Sequence, residues 1–453
     1  MRKSDFLING GNLMKYILIF IILATISSCA SKKKYLSQRE NEFGTSGKHK
    51  WSFHRLSDRD KGTSLAFPGY IISIEKAYRK KIGAPSKKDL KNNYLQSIGF
   101  NESSSWDSLP RQKRNILSDG KPTFISSIIS FSLDNKTIPV IKSESFYDAY
   151  DNSYLKDHSD AYNQGLKYLE KFGDKILKDI ERNKITHVFI FSMGWNADQQ
   201  EAIRNFNSLY GKIIANSNNS NKEFRPLFIG FTWDSKWPIP GVSIFNKTND
   251  ADEIGMIWAN ILLNKKLLNK DIKSPSFKTI LIGHSLGAKL TSRMTMSASM
   301  LANNSRPVDL LINLESAYSI NRYSLKQNGY EQAPDYMHWF DSLYVKNIAL
   351  TCSKYDKANN IGKWAPYAGR YKTYTKVNKS YIEGDSSYVN IETFEYKKTS
   401  NIHFNKGKIL FIDASSVIKM NAYHKGGFAH SDIYNDEVSE MLWKLIEAAT
   451  FDY

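Results

Sequence analysis

The residues with the clearest chemical meaning form the pentapeptide Gly-His-Ser-Leu-Gly at positions 283–287. It fits the pattern Gly-x-Ser-x-Gly, and it stands between an apolar run, Thr279–Ile282, and a predicted helix near Ala288–Leu301. In that setting the pattern predicts a sharp strand-to-helix turn that exposes Ser285 at the end of a sheet. A hydroxyl presented in this way, with a base beside it, can attack a carbonyl carbon and form an acyl-enzyme.

The other residues of the pentapeptide have types that such a turn requires. Small residues are needed at Gly283 and Gly287, because the turn brings backbone segments close together. The backbone N–H of Leu286, at the start of the helix, would point at the negative charge that develops on the carbonyl oxygen. The alternative interpretation is a glycine-rich turn with a buried serine.

Short apolar runs alternate with helical patterns on both sides of this turn. The predicted strands are His187–Phe191, Pro226–Trp233, Thr279–Ile282, Val308–Leu314, Val345–Leu350 and Lys408–Ile412. The predicted helices lie around 166–180, 203–214, 254–262, 288–301 and 438–449. Continuous apolar strands that alternate with helices predict a mostly parallel sheet with helices on both faces. Two earlier apolar runs, Phe124–Phe131 and Thr137–Ile141, predict a hairpin.

From about Thr186 to Ala449 the chain resembles the α/β-hydrolase family, in which serine, acid and histidine follow in that order. The resemblance implies that Asp356, a few residues past the strand Val345–Leu350, is the acid. Glu315, at the end of the preceding strand, is the alternative, because some hydrolases carry the acid there. A loop Asp or a helix cap is the plain interpretation of Asp356.

The resemblance also implies a catalytic histidine and an oxyanion hole. His430 follows the last predicted strand in a glycine-containing loop, as a histidine that reaches back to the serine must, and His424 is its rival. After the strand His187–Phe191, the family often has His-Gly-x, and the N–H of x completes the oxyanion hole. This chain has Met193 in place of that histidine, and the N–H of Trp195 would serve.

Composition excludes several classes of protein. Of 453 residues, 41% are hydrophobic, which is enough for a sizeable core and excludes a wholly disordered chain. The two cysteines cannot form a disulfide framework, and neither a metal site nor a cofactor is expected. The net charge of +18 comes mostly from scattered lysines without a recognition motif, so nucleic acid is not an expected partner.

The N-terminus has the pattern of an export signal with a lipid anchor. A basic segment precedes the apolar run Tyr16–Ala24, which is too short to span a membrane and matches a signal peptide. Ile26-Ser27-Ser28-Cys29 resembles the bacterial lipobox, in which the cysteine becomes the lipidated first residue. An ordinary signal peptide or a buried helix with a chance cysteine is the alternative. We therefore expect a membrane protein of the bacterial cell envelope that faces the periplasm or the exterior.

These patterns divide the chain into four parts. We predict a signal peptide over residues 1–28, a polar, lysine-rich tether over 29–62, an accessory region with early antiparallel strands over 63–155, and an α/β-hydrolase domain over 156–453. Within that domain, 357–407 is longer than ordinary loops and rich in aromatic residues. It is expected either to cap the site, with its aromatics lining an acyl pocket, or to form a surface hairpin. The alternating residues 389–396 could extend the sheet.

The sequence thus favours a lipid-anchored serine hydrolase of esterase or lipase type, with Ser285, Asp356 and His430 as its triad. Its partners would be an ester or lipid substrate and, through the anchor, a membrane. A peptidase or amidase is the alternative among enzymes. A non-catalytic envelope lipoprotein that uses the fold as a binding scaffold is the alternative outside them.

Overall fold

The computed structural model describes fourteen stretches of the chain. They are residues 64–76, 123–134, 140–149, 158–194, 199–218, 220–233, 235, 244–272, 275–298, 304–323, 344–360, 366–384, 388–419 and 429–451. The predictions for Cys29, Trp195 and His424 therefore lie outside the described residues. Within these stretches, no helix combines the length and apolar character that crossing a membrane requires.

The strands and helices of the described residues alternate along most of the chain. The strands are β1 (Gly69–Lys76), β2 (Thr123–Asp134), β3 (Val140–Asp148), β4 (His187–Ser192), β5 (Pro226–Trp233), β6 (Lys278–His284), β7 (Val308–Leu314), β8 (Val345–Cys352), β9 (Ile391–Glu395) and β10 (Ile409–Asp413). The main helices are α1 (His158–Arg182), α2 (Gln199–Ser217), α3 (Ile244–Ile254), α4 (Leu286–Met296), α5 (Tyr371–Ile382) and α6 (Asp436–Thr450).

The ten described strands form one sheet in the order β3-β2-β1-β5-β4-β6-β7-β8-β10-β9. From β1 to β9 every neighbouring pair is parallel, whereas β2 and β3 add to one edge in antiparallel orientation. The carboxyl ends of the eight parallel strands therefore meet at one edge, where α/β proteins bind their ligands. This is the α/β architecture that the sequence predicts.

Helices cover both faces of the sheet, which explains the continuous apolar strands. In β4, Val188 and Ile190 belong to one core cluster, and Phe189 and Phe191 belong to the other. Apolar residues of α1, α3, α4 and α5 complete the first cluster, and those of α2 and α6 complete the second. A strand that is buried on both sides has no polar face, so its sequence shows no alternation.

The region before residue 155 joins the main sheet. β2 and β3 pair as the predicted hairpin, and β1 pairs antiparallel to β2 on one side and parallel to β5 on the other. The β1 residues Ile71, Ile72 and Ile74 are fully buried. Backbone hydrogen bonds between β1 and β5 therefore connect the residues before 155 to the rest of the sheet.

The described part of the 357–407 segment extends the sheet. β9 pairs in parallel with β10 at the sheet edge, and α5 packs on both strands, with Tyr374 edge-to-face against Phe411. Tyr374, Tyr388 and Tyr396 are buried in the core. The alternating pattern of residues 389–396 gives the physical reason: it builds a strand, and the helix before it buries its apolar side on the sheet.

Two predicted helices have different bounds in the structure. The helix after the pentapeptide begins earlier, at Leu286, and ends at Met296. The helix predicted around 254–262 begins earlier as α3, which ends at Ile254 and continues as the π-helical segments Gly255–Ala259 and Ile261–Leu267. A π-helical turn keeps the same apolar residues buried, so spacing alone does not reveal it.

Candidate active site

Ser285 lies on a strained turn between β6 and α4. Its φ of 56° and ψ of −120° fall outside the regions that non-glycine residues normally occupy, and such strain concentrates at functional sites. Backbone hydrogen bonds to β7 and the residues after it hold the turn in place. The N–H of Ser285 donates to the carbonyl of Leu314, and the carbonyl of Ser285 accepts from the N–H of Ala317. Ser285 is the N-cap residue of α4, so the helix's unpaired N–H groups begin directly after it.

The two glycines of the pentapeptide are needed for the close approach of backbone segments. A Cβ atom at Gly283 would collide with the backbone of Ala288, and one at Gly287 would collide with the carbonyl groups of Ser192 and Met193. The second contact is informative, because it shows that the chain leaving β4 crosses directly over the first turn of α4. Both glycines thus have the role that the sequence predicts.

The same close approach places Gly194 against the serine. A Cβ atom at Gly194 would lie 2.5 Å from the Cβ of Ser285 and 3.1 Å from its Oγ. Met193 is buried and firmly held, since its carbonyl accepts from the indole Nε1 of Trp233 at 3.1 Å and its sulfur contacts the hydroxyl of Tyr434. The methionine therefore does not leave this loop unsupported, and the oxyanion role of Trp195 stays a prediction.

Asp356 and His430 form a hydrogen-bonded pair at the same end of the sheet. Nδ1 of His430 lies 2.8 Å from Oδ2 of Asp356, whose side chain is fully buried, whereas the imidazole remains 15% exposed. Burial alone would raise the pKa of Asp356, but His430 and hydrogen bonds from neighbouring side chains hold it below its usual value. The carboxylate therefore stays ionised and occupies Nδ1, which leaves Nε2 as the ring nitrogen for a substrate or the serine.

A short turn after β8 fixes the carboxylate of Asp356. Oδ1 accepts from the backbone N–H of Ala358 at 2.8 Å and more weakly from that of Asn359 at 3.4 Å. Oδ2 accepts from Nδ2 of Asn359 at 2.8 Å, and the same amide donates to the carbonyl of Glu315 at 2.9 Å. Asn359 therefore ties the loop after β8 to the end of β7.

His430 is positioned by residues on either side of it in the fold. Its carbonyl lies 2.9 Å from Nε2 of His284, and the two imidazole rings are 4.7 Å apart. The preceding residue, Ala429, donates its N–H to the carbonyl of Tyr355, in the loop that carries Asp356. His284, next to Ser285, and the loop that carries Asp356 thus both hold the short 3₁₀ turn Ala429–Ser431.

Glu315, the alternative acid, lies in the same cluster but in a different setting. It directly follows β7 with a φ of 45°, it is fully buried, and the hydroxyl of Thr351 lies 3.4 Å from its Oε1. Burial, and then the charge of Asp356, raise the pKa of Glu315 well above its usual value. The imidazole of His430 is hydrogen-bonded to Asp356, so Asp356 has the better geometry for the acid.

Glu315, Asp356 and His430 are also the one group in the described residues with the composition of a metal site, with one ligand atom each within 4.8 Å of the others. The 2.8 Å contact between Nδ1 and Oδ2 has the length of a hydrogen bond, and the Asp356 carboxylate already accepts from backbone and amide N–H groups. The contact between His430 and Asp356 is therefore a hydrogen bond.

Sequence reasoning missed several residues that hold this site. The turn after Asp356 had a usable signal, because aspartate often accepts from backbone N–H groups two and three residues later. His284 and Trp233 had none, since their partners are 146 and 40 residues away along the chain. Ser285, Asp356 and His430 each follow a strand of one contiguous parallel set, β6, β8 and β10, as their order in the sequence predicts.

Comparison with known proteins supports the fold. Residues 170–365 match the family model described as "Alpha/beta hydrolase of unknown function (DUF900)". The match includes Ser285 and Asp356 and ends before His430. Searches of curated proteins and of solved structures returned no significant match. The chain therefore has the α/β-hydrolase fold, and over residues 170–365 it is similar to a family of α/β hydrolases whose function is unknown.

Proposed function

We propose that the protein is a serine hydrolase that cleaves carboxylic esters or lipids through an acyl-enzyme. The observation that carries the proposal is the strained turn at Ser285, at the same sheet end as the hydrogen-bonded pair of Asp356 and His430. A buried carboxylate on Nδ1 orients an imidazole to accept a proton at Nε2, and acyl transfer needs such a base.

In the proposed reaction, Ser285 Oγ attacks the carbonyl carbon while Nε2 of His430 takes its proton. The tetrahedral oxyanion would be stabilised by the N–H groups of Leu286 and Trp195, each worth about 3 kcal/mol of the barrier. His430 then gives the proton to the leaving alcohol. In the second half of the reaction, water attacks the acyl-enzyme with His430 again as the base, and the carboxylic acid product leaves Ser285. Asp356 stays ionised and stabilises the imidazolium.

A fluorophosphonate probe tests the proposal, because it reacts with an activated serine and needs no known substrate. The wild type should be labelled and Ser285→Ala should not. Ser400→Ala, in the loop after β9, is the matched control and should label like the wild type. A folded wild type that is not labelled would favour the non-catalytic scaffold.

The choice of histidine needs a separate pair of variants. His430→Ala should reduce labelling and turnover to near background, because it removes the base. His424→Ala should leave both unchanged. The opposite pattern would assign the base to His424.

The substrate class rests on the expected membrane location and needs direct measurement. Purified protein should hydrolyse a series of acyl esters, and the dependence of kcat/KM on chain length would separate an esterase from a lipase. Faster hydrolysis of peptide or amide substrates than of esters would assign the protein to the peptidases or amidases.

We also propose that Cys29 is lipidated and that the mature protein begins there. One acyl chain binds a membrane only marginally, so stable anchoring needs the several chains of a bacterial lipoprotein. Mass spectrometry of membrane-extracted protein should find an acylated N-terminal cysteine. Cys29→Ala should leave the membrane fraction. An unmodified Cys29 in the wild type would contradict the anchor.

A further inference from the structure

Glu315 takes no part in the reaction proposed above, yet it is fully buried beside Asp356. Its Oε1 receives the hydroxyl of Thr351, whereas Oε2 has no hydrogen-bond donor among the described residues. A buried carboxylate oxygen without a donor costs several kcal/mol when it is charged, so native proteins avoid it. A carboxylic acid needs no donor there, because it carries its own proton.

We propose that Glu315 is a positioning residue of the site, and that its protonated side chain donates a hydrogen bond to the carboxylate of Asp356. The inference rests on the proposed function only for its catalytic consequence. The hydrogen bond itself is a property of the folded chain.

Burial and Asp356 raise the pKa of Glu315 more than hydrogen bonds from the Thr351 side chain and the Ser353 backbone lower it, so the surroundings on balance favour the protonated form. Asp356, from the loop after β8, presents a buried negative charge, and Cys352 on β8 presents a neutral thiol whose pKa is also raised by burial. Asp413, at the end of β10, is a further carboxylate that acts on Cys352. Among the described residues, His430 is the one basic group in the cluster, and its Nδ1 is bound to Asp356.

Backbone geometry holds Glu315 in this position. Its φ of 45° is unfavourable for a residue with a side chain, and its carbonyl is fixed by Nδ2 of Asn359. A Cβ at Gly369 would collide with the backbone at Glu315 and Ser316, so the loop before α5 closes over it tightly. Strain of this kind persists only where surrounding contacts over-determine the conformation.

The consequence for the site is electrostatic. A hydrogen bond from a neutral acid lowers the pKa of Asp356 without adding charge to the cluster. Asp356 therefore stays ionised in a fully buried position, and it keeps its orientation toward Nδ1 of His430. A glutamine at position 315 can donate the same hydrogen bond, whereas an alanine cannot.

Infrared spectroscopy tests the proton directly and without any activity. At about pH 8 the wild type should show the carbonyl band of a protonated carboxylic acid, and Glu315→Gln should lose it. Glu383→Gln, at the exposed end of α5, is the matched control and should keep the band. An identical carboxylic-acid region in wild type and Glu315→Gln would mean that Glu315 is ionised, and the proposal would fail.

Kinetics and proton NMR test the positioning role. Glu315→Gln should keep kcat within about twofold of the wild type and keep the downfield Nδ1–H resonance of His430, whereas Glu315→Ala should lose about ten- to a hundredfold in kcat and shift that resonance. If Glu315→Gln is as inactive as Asp356→Asn, Glu315 is the triad acid and the proposal is wrong. If the wild type proves inactive, the infrared band and the NMR resonance still decide the hydrogen bond. If Glu315→Ala does not fold, those two measurements on the wild type and Glu315→Gln also decide it.

Discussion

Two buried charged clusters lie close together along the chain and differ in their balance of charge. The acid cluster consists of Glu315, Asp356 and His430, with two carboxyl groups and one imidazole. The cation cluster joins α3 to α4: Asp252 accepts from Nε of Arg293 and from Nζ of Lys289, both at 2.7 Å.

The difference appears in the direction in which the pKa of a carboxyl group is shifted in each cluster. Burial alone would raise the pKa of Asp252, but the charges of Arg293 and Lys289 hold it below its usual value. In the acid cluster, burial and the charge of Asp356 instead raise the pKa of Glu315. The cation cluster therefore keeps Asp252 ionised and joins two helices, although burial lowers the pKa of Lys289. In the acid cluster, the proposal instead places a retained proton on Glu315. Groups with opposed pKa shifts are typical of functional sites.

The largest expected effect comes from Asp356→Asn. It should lower kcat about 10⁴-fold, because an amide does not hold His430 in the tautomer that accepts a proton at Nε2. Asparagine keeps an oxygen for the N–H of Ala358 and removes a buried charge. The free energy of unfolding, measured in urea, should therefore fall far less than the catalytic barrier rises. A variant with normal turnover and a large loss of stability would make the acid cluster structural.

The sequence predicts much of this fold because the decisive signals are local. Apolar runs bounded by polar residues identify β4 to β8. The pentapeptide at 283–287 indicates the turn, because only glycine avoids collisions with the nearby backbone at its first and last positions. Asp356 and His430 were chosen from the resemblance to the α/β-hydrolase family and from their order along the chain, and their catalytic roles stay predictions. The place of β9 at the sheet edge was left open, because alternation predicts a strand and does not say what the strand pairs with.

The features that sequence reasoning missed depend on contacts between distant segments. Nothing near Glu315 in the sequence indicates that Asp356 will lie beside it, so the raised pKa of Glu315 follows only from the structure. Asp252 and Arg293 are likewise separated by 41 positions, and each alone suggests an exposed residue. Electrostatic consequences of tertiary packing are therefore the part that periodicity and motif spacing cannot supply.

The second prediction tests the cation cluster through Asp252→Asn. Removing its charge leaves Lys289 and Arg293 buried without their carboxylate, and breaking such a pair typically costs about 3–5 kcal/mol of unfolding free energy. Urea unfolding measures the loss. Asp174→Asn is the matched control, because Asp174 pairs with Lys266 at the surface and should lose at most about 1 kcal/mol.

In the same variant, the protein that remains folded should still react with the fluorophosphonate at Ser285. Loss of labelling under conditions where Asp252→Asn is fully folded would show that the two clusters are not separate in function. A stability like that of the Asp174→Asn control would show that the cation cluster does little to hold α3 against α4.

The smallest expected effect concerns Asp432, a buried carboxyl group two residues after His430. Its Oδ2 accepts from the backbone N–H of Lys419 at 3.0 Å, and burial raises its pKa to about 6. The folded state therefore keeps a proton that the unfolded chain loses as the pH rises from about 4 to about 6, and over this range the contribution of Asp432 to the free energy of unfolding falls.

Asp432→Asn keeps the acceptor and cannot ionise. Urea unfolding should show little pH-dependent advantage for the variant near pH 4, growing to about 1–3 kcal/mol near pH 8, while Asp271→Asn at the surface gives no such trend. The contribution of Glu315 is common to all three proteins and cancels in the difference. An advantage that does not change with pH would mean that folding leaves the pKa of Asp432 unchanged, and that burial without a neighbouring negative charge is not enough to raise the pKa of a carboxyl group in this part of the fold.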